Sequence, residues 1–241
     1  MLKTMFSVIP CESYISLFGI THIIILVLSL LATFYVVKHN RESKLFEKLM
    51  TIIMLGFYAC IYSWYYFSPE SFIVKGLPLY TCRIAVYMLA VGIFFNKEFW
   101  LKIGCYWGFF GGFFGLLLPT IFDYPFPHIL QISTFFLHTY LFLISSYFLF
   151  VKKIGMNNKD LKICNIFTVG FLGLVTIVNI LLGSNYSATL KMPGVLRMLG
   201  ISFPTSLCFF IVASGYLIAI FVEYKLVNKY ENKSLETSNN D

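Results

Sequence analysis

Seven long runs of apolar residues dominate this sequence. The hydrocarbon core of a bilayer is about 30 Å thick, so a helix needs about 20 mostly apolar residues to cross it. Short connections separate the runs and leave no room for a soluble domain. The runs cover residues 17–37, 45–67, 77–95, 99–118, 129–151, 161–182 and 203–222.

A globular protein of this size could not bury so much apolar surface. The chain has 241 residues, of which 59% are hydrophobic and 12% charged, and its mean hydropathy is +0.80. We therefore predict an all-α fold, that of a polytopic integral membrane protein with a seven-helix transmembrane bundle. Residues 1–224 are expected to form this single bundle. Residues 225–241 are polar and asparagine-rich, which predicts a disordered cytoplasmic tail.

The distribution of lysine and arginine predicts the orientation of the bundle. Cytoplasmic loops carry an excess of these residues. With seven spans, thirteen of the eighteen basic residues fall on one side, four on the other, and Arg83 lies within a span. The N-terminus is therefore predicted to be outside and the C-terminus cytoplasmic.

Charge and cysteine content exclude several kinds of site. The net charge is +7, but the basic residues are scattered between apolar runs, whereas nucleic-acid binding needs a continuous basic face. The six cysteines include no CxxC pair and no Cys/His metal spacing. We therefore expect no nucleic-acid partner, no metal, no cofactor and no disulfide framework. The sequence predicts no oligomeric state.

Polar side chains collect in the outer half of the predicted bundle. The outer connections are rich in proline, glycine, asparagine and tyrosine, whereas the inner ones are lysine-rich. Irregular backbone at membrane depth is tolerated where it is buried in protein or lines a wet cavity. A polar side chain in a span is costly against lipid, so it is expected to face the bundle. The polar residues of this layer are Cys82, Arg83, His138, His22, His128, Asn179, Asn185 and Tyr186.

A cysteine with a nearby histidine is suited to nucleophilic catalysis, because a thiol needs a base or a neighbouring cation to become thiolate. Cys82 is the candidate nucleophile, His138 the candidate base and Arg83 the candidate cation. Continuous helices would put Cys82 about 8 Å and His138 about 14 Å below the outer ends of their spans. Each residue also has a structural interpretation, as a packed thiol, a backbone-bonded imidazole or an arginine that reaches the headgroups.

Four segments in register give the sequence a family resemblance. It resembles the YwaF-like family of bacterial integral membrane proteins, relatives of the eukaryotic transmembrane protein 164. The segments are LPLYTC at Leu77–Cys82, YWGFFGGFFGLLLP at Tyr106–Pro119, FPHILQISTFFLH at Phe126–His138 and NILLGSNY at Asn179–Tyr186.

The resemblance implies an acyltransferase of the bacterial cell membrane, with phospholipids and lysophospholipids as partners. In the eukaryotic branch, a cysteine takes an acyl chain from a phospholipid and passes it to a lysophospholipid, assisted by a histidine. Carried over by motif, Cys82 is the nucleophile and His138 the base. The family motif commonly reads LPLHLCD, so Tyr80 replaces its histidine and Arg83 its acidic residue. Polar groups implied for substrate binding are His22, Tyr80, Arg83, His128, Asn179, Asn185 and Tyr186.

Other function classes use the same polar layer. A lipid acyl hydrolase would share the cysteine chemistry, and a small-solute transporter or a non-catalytic binding protein would share the cavity. Secondary transporters usually have internal repeats and discontinuous helices, and the sequence indicates neither. A retinal photoreceptor needs a lysine in its last span for the Schiff base. Residues 203–222 contain no lysine, which excludes that chromophore linkage.

Overall fold

The computed structural model describes residues 2–9, 15–39, 41–68, 72–120, 122–124 and 126–238. In these residues every regular element is a helix, so the predicted all-α fold is confirmed. Two π-helical turns cover Phe72–Gly76 and Tyr147–Val151, and a 3₁₀ turn covers Tyr186–Ala188. The α-helices are α1 (Leu2–Met5), α2 (Ile20–His39), α3 (Lys44–Phe67), α4 (Thr81–Phe95), α5 (Glu98–Leu117), α6 (Ile129–Ser146), α7 (Asn158–Leu182), α8 (Gly194–Met198) and α9 (Thr205–Ser238).

Each of the seven apolar runs corresponds to one long helix. Among the described residues, five helical segments are long and apolar enough to cross a membrane: α2, α3, α6 with its π-helical continuation, α7 and α9. Helix α4 has only 15 residues, and α5 has 20. The protein is therefore a helical membrane protein, whereas the count of seven crossings and the orientation of the termini stay predictions.

The helix of the third apolar run starts later than the sequence predicts. Residues 77–80, expected to be its start, are not helical, and α4 begins only at Thr81. Pro78 contributes to this late start, because proline disfavours helical backbone in the residue before it, Leu77. The Thr81 hydroxyl bonds to that of Tyr216, whose ring centroid lies 6.3 Å from that of Trp107, near the middle of α5. Helix α4 thus begins inside the bundle.

Helix α5 packs closely on both α4 and α6 through its glycines. A Cβ added at Gly104 would lie 2.9 Å from the backbone nitrogen of Leu89 in α4. A Cβ at Gly112 would lie 2.5 Å from the backbone nitrogen of Phe142 in α6. Such close approach is typical of membrane helices that meet through small residues. It places α4, α5 and α6 side by side at the core of the bundle.

Helix α9 continues well beyond the apolar run that predicts it. Residues 225–238, expected to be a disordered tail, are helical. Contacts hold the first part of this extension: the Tyr224 hydroxyl donates to Asn158 Oδ1 at 2.8 Å, and the Tyr230 ring lies 5.3 Å from that of Phe150. Val227 is fully buried. The extension is therefore packed against α7 and the π-helical turn after α6.

Candidate functional site

Cys82 lies in the first turn of α4, which is the part of a helix whose N–H groups lack intrahelical acceptors. The Thr81 N–H donates to Ser187 Oγ at 3.0 Å, and the Ile84 N–H to the Tyr80 carbonyl at 3.0 Å. The N–H groups of Cys82 and Arg83 lie in the same turn. The N-terminal end of a helix attracts negative charge and is one of the surroundings in which reactive cysteines are found.

Two tyrosines lie near the Cys82 thiol, Tyr58 of α3 and Tyr216 of α9. Tyr58 is only 3% exposed, and among the described residues its hydroxyl has no hydrogen-bond partner. The neighbouring hydroxyls of Tyr62 and Tyr87 bond to each other at 3.1 Å. A buried hydroxyl without a partner is costly, so the Tyr58 hydroxyl is free to bind a group beside Cys82.

Arg83 forms hydrogen bonds to the backbone of the chain segment that precedes α4. Its Nη1 donates to the carbonyls of Lys75 at 3.4 Å, Gly76 at 2.9 Å and Leu77 at 3.2 Å. Its guanidinium also lies 4.9 Å from the centroid of the Tyr80 ring. The arginine thus satisfies the carbonyls at the end of the first π-helical turn, and it keeps a positive charge beside the thiol.

The His138 ring fits into a gap that a glycine leaves between α5 and α6. Its Nδ1 lies 2.7 Å from the Thr134 carbonyl, so Nδ1 carries the proton and the lone pair is on Nε2. Among the described residues Nε2 has no hydrogen-bond partner. A Cβ added at Gly115 of α5 would overlap the ring. The histidine is therefore held in the tautomer that a general base needs.

The two predicted catalytic residues lie on adjacent helices, since α4 and α6 pack against each other. Cys82 is next to tyrosines of α3 and α9, whereas His138 lies against α5. Within the described ranges no hydrogen bond or ring contact joins the sulfur to the imidazole. The catalytic pairing of Cys82 with His138 stays a prediction.

The histidines His22 and His128 are bonded at both ring nitrogens. His22 Nδ1 accepts from the Phe18 N–H at 3.0 Å, and its Nε2 lies 2.8 Å from the Leu116 carbonyl. His128 Nδ1 accepts from the Leu130 N–H at 3.3 Å, and its Nε2 lies 2.9 Å from the Ser7 carbonyl. Burial lowers the pKa of His128, so its ring is neutral near pH 7. Both histidines fasten chain segments together at the predicted outer end.

The asparagines Asn179 and Asn185 organise the loop after α7. Asn179 Nδ2 donates to the Tyr186 carbonyl at 2.8 Å and to Thr189 Oγ1 at 2.9 Å. Its Oδ1 accepts from Ser184 Oγ and from the Tyr186 N–H, both at 2.7 Å. Asn185 Oδ1 accepts from two backbone N–H groups further along the loop, at 3.1 and 3.0 Å. These amides hold backbone in place.

Tyr186 connects that loop to the segment before α4. Its hydroxyl donates to the Ile73 carbonyl at 2.7 Å and accepts from the Leu77 N–H at 3.1 Å. Its ring centroid lies 5.0 Å from that of Tyr80. Tyr186 and Tyr80 thus hold the backbone that leads into the first turn of α4.

Comparison with known families settles the relationship that the sequence motifs indicate. The sequence model of the TMEM164 family matches residues 13–224, which is most of the chain and includes Cys82 and His138. The chain belongs to the TMEM164 family. The resemblance to relatives of transmembrane protein 164 is therefore confirmed, whereas membership of the bacterial YwaF-like branch stays a prediction. The comparisons with curated proteins and with solved structures found no match.

Three residues of this TMEM164 family member matter to the site although nothing in their sequence pattern indicates it. Tyr58 brings a free hydroxyl to Cys82, and Ser187 caps α4 by accepting from Thr81 and donating to the Leu79 carbonyl at 2.9 Å. Gly115 provides the space for the His138 ring. Only their spacing relative to Cys82 and His138 in three dimensions reveals them.

The contact between Gly115 and His138 predicts a stability difference between two alanine substitutions in α5. Gly115→Ala is expected to lower the free energy of unfolding by about 1–3 kcal/mol, because the new methyl group displaces a packed ring. Gly111→Ala is the matched control, since a Cβ there meets no atom within 4 Å. Thermal unfolding in detergent measures both. Equal melting temperatures for the two variants would show that the ring does not occupy this gap.

Proposed function

We propose that this TMEM164 family member is a membrane acyltransferase that holds an acyl chain on Cys82 as a thioester. The observation that supports it is the position of the thiol, in the first turn of a helix that begins inside the bundle. Helix N-termini and neighbouring cations are the surroundings that activate nucleophilic cysteines, and here Arg83 is that cation. The donor is a phospholipid and the acceptor a lysophospholipid, both of which reach the site from the bilayer.

The first half-reaction transfers the acyl chain to the protein. His138 Nε2 takes the proton of the Cys82 thiol, and the thiolate attacks the ester carbonyl carbon of the phospholipid. The electron pair of the carbonyl bond moves onto its oxygen. Donors aimed at such an oxyanion supply a large part of catalysis in acyl transfer. The N–H groups of Cys82 and Arg83 and the hydroxyl of Tyr58 are assigned this task. The ester C–O bond then breaks, and the lysophospholipid alkoxide leaves with a proton from His138.

The second half-reaction reverses these roles. His138 Nε2 takes the proton of a lysophospholipid hydroxyl, whose oxygen attacks the thioester carbonyl carbon. The C–S bond breaks, the thiolate of Cys82 is regenerated, and the acyl chain leaves on the acceptor. Water in place of the lipid hydroxyl would make the same site a hydrolase. The Nδ1 bond to Thr134 supports this assignment, because it leaves Nε2 free to accept.

The other residues expected to bind substrate are assigned a supporting role. All of them except Tyr80 have polar atoms hydrogen-bonded to the protein itself, and Tyr80 packs its ring beside Tyr186 and Arg83. Together they hold chain segments at the predicted outer end in place. Such residues act on the reaction by keeping Cys82 and its donors in position. They are His22, Tyr80, Arg83, His128, Asn179, Asn185 and Tyr186.

A transporter is the second candidate, and one feature favours it. The sequence indicated no discontinuous helix, but α4 begins inside the bundle after a π-helical turn and four non-helical residues. In secondary transporters, the N-terminus of such a half-helix binds an anionic group of the solute. In that case the first turn of α4 would bind a solute, and Cys82 would never be acylated.

Reconstitution with labelled lipid separates the two candidates. The purified protein is incubated with phospholipid that carries a labelled acyl chain and with unlabelled lysophospholipid. We expect label to appear in the acceptor and also on the protein, from which neutral hydroxylamine releases it as thioesters require. A panel of donor headgroups covers the substrate class. Absence of label from both protein and acceptor with every donor, in folded protein, would contradict the acyltransferase proposal.

A further inference from the structure

The most isolated acidic side chain in the described residues is Glu223 of α9. It is 0% exposed, and within the described part of the chain neither carboxyl oxygen has a hydrogen-bond partner. The last apolar run ends at residue 222, so the sequence placed this glutamate just outside the membrane. The structure places it instead within a candidate membrane-spanning segment, Thr205–Glu231. The acyl-transfer mechanism does not use it.

The groups that face Glu223 come from two neighbouring helices. Cys105 and Tyr106 approach it from α5 and Cys164 from α7. Cys105 follows the start of α5 by seven residues and Cys164 that of α7 by six, so both lie about 10 Å from these helix ends. These ends carry lysines of the predicted cytoplasmic side. Glu223 therefore lies in the inner half of the bundle, away from Cys82.

No cation is among the described neighbours of Glu223. Lys102 bonds at 2.7 Å to both Asp160 and Glu98, and Lys152 bonds to Glu47 at 2.8 Å. Lys153 interacts with Glu231, further along α9. Among the described residues there is also no group of three metal-ligating side chains. An ionised carboxylate in this position would be uncompensated, which apolar surroundings do not tolerate.

We propose that Glu223 is a proton-binding site, whose carboxyl group holds its proton at neutral pH in the folded protein. A cavity of about 340 Å³ lies near the inner end, and Lys102, Asp160 and Met156 are among the residues that line it. The Tyr106 hydroxyl is close to the backbone of Met156 and to Glu223. Within the described residues that hydroxyl has no hydrogen-bond partner. Tyr106 thus lies between the cavity and the carboxyl, where it can pass a proton from one to the other.

Infrared spectroscopy of the whole protein at pH 7 tests the proposal. Wild type is expected to show the carbonyl stretching band of a protonated carboxyl group, and Glu223→Gln is expected to lose that band. Glu47→Gln is the matched control, since Glu47 is buried but paired with Lys152, and it is expected to lose carboxylate absorption instead. Glu231→Gln is expected to leave the protonated band in place. Loss of carboxylate absorption in Glu223→Gln would overturn the proposal.

Thermal unfolding provides a second, independent measurement. The folded protein keeps the Glu223 proton, whereas an unfolded glutamate releases it above a pH of about 4.3. Raising the pH therefore favours the unfolded state of wild type. Glu223→Gln has no carboxyl proton to release, so this pH dependence is absent from the variant. The melting temperature of wild type is expected to fall relative to that of the variant as the pH rises. Parallel curves, or stabilisation of wild type alone by sodium or potassium over choline, would overturn the proposal, the latter because it indicates a cation site.

Discussion

Replacing Cys82 with alanine is expected to reduce acyl transfer to background while the protein stays folded. The substitution removes the only atom on which the proposed thioester forms, and losing a covalent nucleophile costs on the order of 10⁶-fold in rate. Cys82 is partly buried rather than at the centre of the packed core, so the smaller side chain fits its place. Transfer of labelled acyl chains from phospholipid to lysophospholipid, followed by lipid chromatography, measures the loss.

Two further variants make the result with Cys82 specific. Cys60→Ala removes an exposed free cysteine of α3 and is expected to transfer at the wild-type rate. Cys82→Ser keeps the size and the hydrogen bonding of the side chain but replaces a thiolate with a far weaker nucleophile. It is expected to be nearly as inactive as the alanine variant. Wild-type transfer by Cys82→Ala would place the nucleophile elsewhere or remove covalent catalysis from the mechanism.

Replacing His138 with alanine is expected to slow acyl transfer by about 10²- to 10⁴-fold, the usual contribution of a general base. The imidazole has its Nδ1 proton on Thr134, so Nε2 is the atom that takes a proton from the acceptor. Without it, the thioester forms slowly and is released slowly. The rate of labelling of Cys82 and the rate of its discharge by lysophospholipid are measured separately in single-turnover experiments.

The histidine experiment has a matched control in the same protein. His39→Ala removes the ring at the predicted inner end of α2. Among the described residues this ring bonds only to its own helix, through Nδ1 to the Tyr35 carbonyl at 3.2 Å. It is expected to transfer at the wild-type rate. A structural role for His138 would lower the melting temperature without changing the rate per folded molecule. That outcome would contradict its assignment as the base.

Much of the fold could be predicted from the sequence because bilayer thickness fixes helix length. Each apolar run of about 20 residues became one long helix. The start of α4 could not be predicted in this way, since Leu77 and Leu79 are as apolar as the residues of a helix. Its position depends on contacts from distant parts of the chain, such as the Tyr186 hydroxyl on the Leu77 N–H. Pro78 was the one local signal for the late start.

The candidate site was predictable only where the chemistry of a residue type is unusual in a membrane. Histidine is rare in apolar spans, and the family resemblance singled out Cys82 among the six cysteines. The sequence cannot tell whether a polar side chain binds a ligand or its own backbone, as Asn179 does with its loop. Nor can it show that the Tyr58 hydroxyl has no partner among the described residues, because that depends on the packing of neighbouring helices.

Glu223 illustrates a different limit. Span boundaries were placed where apolar residues stop, and a glutamate after residue 222 marks such a boundary by composition. Helix α9 continues past it because Tyr224 and Val227 pack against neighbouring helices. A buried acidic residue is therefore found only when the packing partners of the helix are known.

The most direct test of acyl transfer through Cys82 is the mass of its own peptide. Protein incubated with a phospholipid of defined acyl composition is digested under mildly acidic conditions, which preserve thioesters, and analysed by mass spectrometry. The proposed mechanism predicts that the peptide containing Cys82 gains the mass of that acyl chain and loses it after neutral hydroxylamine. An acyl chain found only on another residue, or an unmodified Cys82 in protein that is transferring acyl chains, would contradict it.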